Sequence, residues 1–368
     1  LYSFAGGSDG QYPAGNIACD STGKLYGSTE SGGAYRAGTI FELSPTSSGG
    51  WTESVLYTFT GGNDGGGPLG GVTLDPAGNL YGTTVGGGEN EFGTVFELSP
   101  SSNGGWSFNT IHTFSGPDGA DSYTPVTVYA GNLYGTTRIG GTHDYGVVFE
   151  MKQDASGAWS ESVLYSFDGG KDEGLPMTGV AFDAYGNLYG TTIGVAEDAP
   201  GVVFELIRQS DGKWKINVFV DIGYGPLGAP ILDPAGNVYG TTIEGGYGYG
   251  NVYELEPEPG GRWKDDYNLR VFSGGTDGSR PASALVRDPE GNLYGVTSSG
   301  GATGNGVAYE LVYASSPYWN ELELYSFKGG NDGSLPETLL AGASGIFYGT
   351  TQFGGENSLG TVFAITLQ

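Results

Sequence analysis

The peptide Tyr-Gly-Thr-Thr and its close variants return seven times along the chain, at Tyr26, Tyr81, Tyr134, Tyr189, Tyr239, Tyr294 and Tyr348. The intervals are 55, 53, 55, 50, 55 and 54 residues. A period of this length marks a supersecondary unit that cannot bury its apolar side alone and must stack against its neighbours. The seven copies use up the chain, so residues 1–368 are expected to form one domain.

One copy shows the unit. Gly71 to Asp75 suits a short strand, and Asp75-Pro76-Ala77-Gly78-Asn79 a tight turn, with proline presetting φ and glycine taking the left-handed position. Leu80 to Thr84 is a second strand rich in β-formers. A glycine loop follows over 86–93, then a third strand over Thr94 to Leu98 and a polar turn over 99–105. Trp106 to Phe114 makes the fourth strand. No segment carries the apolar spacing of a helix. Four antiparallel strands repeated seven times predict an all-β, seven-bladed β-propeller.

The chain ends test the count. All six tryptophans (Trp51, Trp106, Trp159, Trp214, Trp263 and Trp319) open fourth strands. The seventh copy stops after its third strand, Thr361 to Ile365. Leu1-Tyr2-Ser3-Phe4 matches the fourth-strand ends Leu56-Tyr57-Thr58-Phe59 and Leu324-Tyr325-Ser326-Phe327. Residues 1–4 are therefore expected to complete blade 7 and close the ring, removing two free sheet edges. A β-solenoid also stacks glycine-rich repeats, but its coils run closer to 20–30 residues.

Composition narrows function by exclusion. With 14 Lys and Arg against 41 Asp and Glu, the net charge is −27, which argues against nucleic acid and anionic membrane surfaces as partners. No apolar run reaches the roughly 18 residues of a membrane span, so no membrane insertion is expected. Cys19 is the only cysteine, and His112 and His143 the only histidines, which leaves little room for a disulfide or His-based metal chemistry. Cys19 falls on an inner strand as a small hydrophobe. With 72 glycines, matches to the dinucleotide fingerprint such as Gly65-x-Gly67-x-x-Gly70 arise by chance and lead into strands instead of helices.

The run from Gly78 to Leu98, an instance of G-N-L-Y-G-T-T-x-x-G-G-x(4–5)-G-T-V-F-E-L, resembles the GloVer-type tandem repeat of bacterial surface proteins. The resemblance covers essentially the whole chain. It implies an extracellular or cell-surface bacterial protein and supplies no catalytic residue or ligand.

In a propeller the first strand of each blade lines the central channel, and the loops between strands two and three share a face with the loops joining blades. Both loop sets are glycine-rich here, and loops on a rigid scaffold are where binding residues concentrate. The inter-blade loops carry Asp9, Asp64, Asp172, Asp277 and Asp332 in an F-x4-D-x3-P pattern. The longer loop into blade 3 offers Asp118 and Asp121. These suit calcium, the one cofactor left open, or capping of their own turns; the ligand-dense D-x-D-x-D-G string is missing. The third-strand glutamates Glu42, Glu97, Glu150, Glu205, Glu254 and Glu310 recur too regularly for one active site and read as strand-pairing groups.

A single site should show where copies differ. Blades 3 to 5 depart most: Arg138 and His143-Asp144-Tyr145 in blade 3, Glu197 and Asp198 in blade 4, Tyr224 in the shortened loop into blade 5, then Glu244, Tyr247 and Tyr249. Drift within a repeat gives the same picture. Aromatic rings beside carboxylates and amides suit sugars, and Tyr35, Arg36, Glu91, Phe92, Tyr123 and Asn305 add to that set. Three functions stay open: a glycan-binding propeller, a carbohydrate-active enzyme, or a structural surface-layer or adhesion module that self-associates. The enzyme, a glycoside hydrolase or polysaccharide lyase, would draw on Asp144, Glu197, Asp198 and Glu244 as acids and His143 or Tyr145 as base.

Overall fold

A computed structural model describes residues 1–195, 201–259, 262–264, 268–315 and 318–367. Apart from single 3-10 turns at Gly330–Asp332 and Ala343–Gly345, its regular elements are strands. They form seven antiparallel sheets, one per repeat. Blade 2 is the plainest, with strands Thr73–Leu74, Leu80–Thr84, Thr94–Pro100 and Trp106–Thr113 in sequential order. Its first strand is shorter than the sequence suggests, because Gly71 holds a φ of 77° and closes against Asn16 of blade 1.

The ring closes as the termini require. Strand Tyr2–Ser3 pairs with Thr361–Thr366, with Tyr2 opposite Val362 and Ser3 opposite Thr361. The Leu1 amino group and the Phe4 N–H extend the pairing to the carbonyls of Val362 (2.9 Å) and Gly360 (3.1 Å). Phe4 is fully buried and edges onto Phe41 of blade 1.

The repeat motif follows from packing. The glycine of Tyr-Gly-Thr-Thr lies opposite the third-strand aromatic, as Gly82 lies opposite Phe96. A Cβ on Gly82 would sit 2.5 Å from the Phe96 ring, so the aromatic takes the space a side chain would fill. The following hydroxyl stitches neighbouring blades: Thr83 Oγ1 donates to the Thr124 carbonyl at 2.9 Å and Thr136 Oγ1 to that of Thr178 at 2.9 Å. Four of the tryptophans, Trp51, Trp106, Trp159 and Trp263, reach the tyrosine of the preceding blade. Trp106 meets Tyr26 edge-on at 5.8 Å and Trp159 meets Tyr81 at 5.9 Å. Trp51 meets Tyr348 at 6.1 Å across the ring closure. The hydrophobic core is thus divided among the joints. Tyr26, Ile40 and Phe59 of blade 1 pack on Val72, Leu80, Phe96 and Leu98 of blade 2.

Candidate functional site

The aspartate-proline face is built from one constellation repeated. Tyr189 Oη donates to Glu205 at 2.8 Å, and Tyr239, Tyr294 and Tyr134 do the same to Glu254, Glu310 and Glu150 at 2.7, 2.8 and 2.6 Å. These tyrosines and glutamates are register partners on adjacent strands, as strand-pairing groups should be. The turn aspartate gathers the rest: Asp75 accepts from the N–H groups of Ala77 and Asn79, both at 2.8 Å, and from Asn79 Nδ2 at 3.0 Å. Burial, then the neighbouring carboxylates, raise the phenol pKa values, that of Tyr134 to about 12. Two inter-blade clefts open on this face. One, about 630 Å³, lies between blades 4 and 5 beside Tyr185 and Trp263; the other, about 400 Å³, lies between blades 5 and 6 beside Glu254 and Arg287.

The inter-blade aspartates are engaged by their own turns. Asp64 accepts from the Thr60 N–H at 2.8 Å, Asp332 from Lys328 at 2.7 Å, and Asp9 from Ala5 at 2.7 Å. Asp172 takes the N–H groups of Asp168 and Gly169, both at 3.0 Å. Each carboxylate also binds a fourth-strand side chain. The partner is Tyr2, Tyr57, Tyr165 or Tyr325 for Asp9, Asp64, Asp172 and Asp332, His112 for Asp118, and Arg270 for Asp277.

Several candidates on the glycine face pack against the loop that leaves their own blade. Tyr145 lies over Gly169, where a Cβ would come within 2.6 Å of its ring, and Tyr249 lies over Gly274 at 2.5 Å. Phe92 approaches Gly116 and Asn305 approaches Gly329 in the same way. Asp144 accepts from the Gly140 N–H at 3.0 Å within its own loop. Tyr35, Arg36, Glu91, His143, Tyr224 and Tyr247 are exposed, Tyr247 at 85%. Glu197 and Asp198 lie outside the described residues.

Nearer the axis the candidates converge. The first strand of every blade is preceded or opened by a residue with φ between 53° and 67°: Tyr12, Gly67, Asp121, Leu175, Gly225, Arg280 and Leu335. Its N–H bonds the carbonyl of the preceding blade's loop in Tyr12 (2.8 Å), Leu175 (2.8 Å) and Arg280 (2.7 Å). Arg280 pairs with Glu244 at 3.1 Å. Asp121 feels the opposing charges of Arg138 and Asp144, and burial holds its carboxyl above the usual range.

Below this ring the channel contains a cavity of about 200 Å³ lined by inner-strand residues, among them Tyr123, Met177, Leu227, Ala282 and Glu337. Enclosure, then the charge of Glu30, pushes the Glu337 carboxyl up to about 7. Glu337 was not among the residues nominated from sequence. Aligning the residue after the strand-opening proline exposes it: Ala14, Leu69, Met177, Leu227 and Ala282 occupy that place in other blades, and only blade 7 puts an acid there. Cys19 ends its inner strand half-buried with a free thiol.

The fold has distant counterparts among solved structures. A luciferin-regenerating enzyme superposes with a TM-score of 0.51 at 14% identity, covering 80% of this chain and 90% of that one. A protein described as a putative oxidoreductase (glucose dehydrogenase) from Thermus thermophilus gives 0.49 at 16%, covering 78% and 91%. A gluconolactonase from Xanthomonas campestris gives 0.44 at 13%, covering 78% and 82%. At such identities the likeness speaks to fold alone. No curated protein matches the chain. The repeat itself is more specific: the family described as Gloeobacter/Verrucomicrobia repeat matches residues 1–204 and again 183–368. With the motif, the blade count and the ring closure in agreement, this chain belongs to the Gloeobacter/Verrucomicrobia repeat family.

Proposed function

We propose that the protein is an exported bacterial carbohydrate-binding propeller whose ligand lies across the channel mouth on the glycine face. The observation that carries this reading is the left-handed ring. Left-handed backbone costs a non-glycine residue roughly 1–2 kcal/mol, and glycine is abundant elsewhere in the chain. Five of the seven positions nevertheless keep a side chain: Tyr12, Asp121, Leu175, Arg280 and Leu335. Strain retained in this way is a pointer to function. The ring mixes an aromatic face, a carboxylate and a guanidinium, with Arg138, Glu244 and Gln352 beside it, which matches the C–H faces and hydroxyls of a sugar.

Affinity electrophoresis against a polysaccharide panel tests it. Retention on at least one polysaccharide, lost in Tyr12→Ala/Arg280→Ala and kept in Tyr185→Ala, is the expected result. No retention on any polysaccharide, or loss through Tyr185 instead, overturns it.

A second reading, catalysis on the bound carbohydrate, is favoured by Glu337. A carboxyl titrating near neutrality inside a channel is suited to general acid–base work. Under it, Glu337→Gln abolishes turnover of a retained polysaccharide while leaving retention intact; unchanged turnover removes the reading.

A further inference from the structure

The outer joints between blades repeat one three-residue position with different chemistry each time. It comprises the fourth-strand residue two before the closing aromatic, the inter-blade aspartate, and the side chain two after the next blade's tryptophan. Between blades 1 and 2 this is Tyr57, Asp64 and Phe108, with the two rings stacked at 3.8 Å. Between blades 5 and 6 it is Arg270, Asp277 and Glu321, where the guanidinium lies between the carboxylates at 2.8 and 2.6 Å. Between blades 2 and 3 it is His112, Asp118 and Glu161.

We propose that His112, Asp118 and Glu161 bind one divalent transition-metal ion of the zinc type. Their donor atoms all lie within 4.8 Å of one another, with His112 Nε2 already 3.1 Å from Asp118 Oδ2. Tetrahedral bonds of about 2.0–2.1 Å place donors about 3.3 Å apart, so closure around an ion needs only small side-chain adjustments. The aspartate is fixed in advance: its other oxygen takes the N–H of Ser115 at 2.7 Å and the hydroxyl at 2.9 Å. Glu161 Oε1 is enclosed and has no hydrogen-bond partner among the described residues. A buried acceptor left in that state calls for a donor or a cation.

The comparison with Arg270 supplies the second argument. The same pair of carboxylates at the blade 5–6 joint is neutralised by a built-in cation. At the blade 2–3 joint the cation is replaced by an imidazole, which offers a lone pair instead. One nitrogen and two carboxylate oxygens, with a fourth position left to water, fit a zinc-type ion. Calcium, which takes six to eight oxygens, fits poorly. On binding, the neutral imidazole that burial favours keeps its one ring proton on Nδ1 and gives the Nε2 lone pair to the ion.

The test is zinc titration of the chelator-treated full chain by calorimetry, with the visible spectrum of the cobalt-loaded protein as a second readout. One equivalent of zinc and a tetrahedral cobalt spectrum are expected in the parent. His112→Tyr rebuilds the Tyr–Asp pair that Tyr57 and Asp64 already form, so the metal-free melting temperature should hold while zinc affinity falls at least tenfold and the cobalt band disappears. Glu161→Gln should also weaken zinc by at least tenfold. Glu53→Gln, at the blade 7–1 joint, should change neither readout. Less than one equivalent in the parent, full binding by His112→Tyr, loss through Glu53→Gln, or calcium bound as tightly as zinc each overturn the assignment.

Discussion

The two faces of the ring use opposite rules. On the aspartate-proline face the same tyrosine, glutamate, aspartate and asparagine recur in blades 2, 4, 5 and 6 and satisfy one another, so each of these copies is complete in itself. Around the channel mouth the backbone is repeated, down to the left-handed φ, while the side chains are not. Repetition of side chains marks what holds a blade together, and repetition of backbone with varied side chains marks a frame on which individual groups are displayed. The difference separates scaffold from candidate site without reference to any other protein.

Substitution can break that contrast. The largest effect is expected on the scaffold face: Tyr189→Ala should lose about 3–5 kcal/mol of unfolding free energy in denaturant titration, because Tyr189 is 4% exposed and Glu205 would lose its phenol. Tyr189→Phe isolates the hydroxyl and should cost about 1–2 kcal/mol, with Asn217 still donating to Glu205 at 3.0 Å. A result near zero would mean the phenol–carboxylate pair is ornamental.

At the channel, Glu337→Gln should act through pH. Burial, then the charge of Glu30, lifts its folded carboxyl to about 7, above the ordinary glutamate range, so over that interval the folded chain keeps a proton that the unfolded chain has released. The parent therefore loses stability as pH rises through that interval. The variant should melt higher than the parent at pH 8, by on the order of 1–2 kcal/mol, and the gap should close by pH 4.5. A pH-independent gap would place the carboxyl in ordinary contact with solvent. The smallest effect is expected at Arg280→Gly, where relief of a φ of 58° opposes the loss of the exposed Glu244 pair. Stability should stay within about 1 kcal/mol of the parent, and a larger loss would make the ring structural after all.

Much of the fold was legible because it is stated seven times. The Tyr-Gly-Thr-Thr spacing, the tryptophan positions and the split last blade each reappear as register, edge-on ring contacts and the pairing of Tyr2 with Val362. The site was less legible, since loop composition does not say where a side chain goes. Tyr145 and Tyr249, nominated as ligand contacts, lie over glycines of the loops that leave their own blades. Tyr123, nominated with them, lines the channel beside the unforeseen Glu337. His112 read as an isolated histidine because its partners are Asp118 six residues on and Glu161 in the following blade.

The varied chemistry of those outer joints has a consequence for assembly. A chain of near-copies runs the hazard that a blade docks on the wrong neighbour, the usual misfolding route of repeat proteins. Here the fourth strands of neighbouring blades meet as Tyr57 on Phe108, His112 beside Glu161 and Arg270 on Glu321, a different chemistry at each of these joints. A mismatched pair would leave the guanidinium or the ring without its partner, so these blades carry an address that the rightful successor reads.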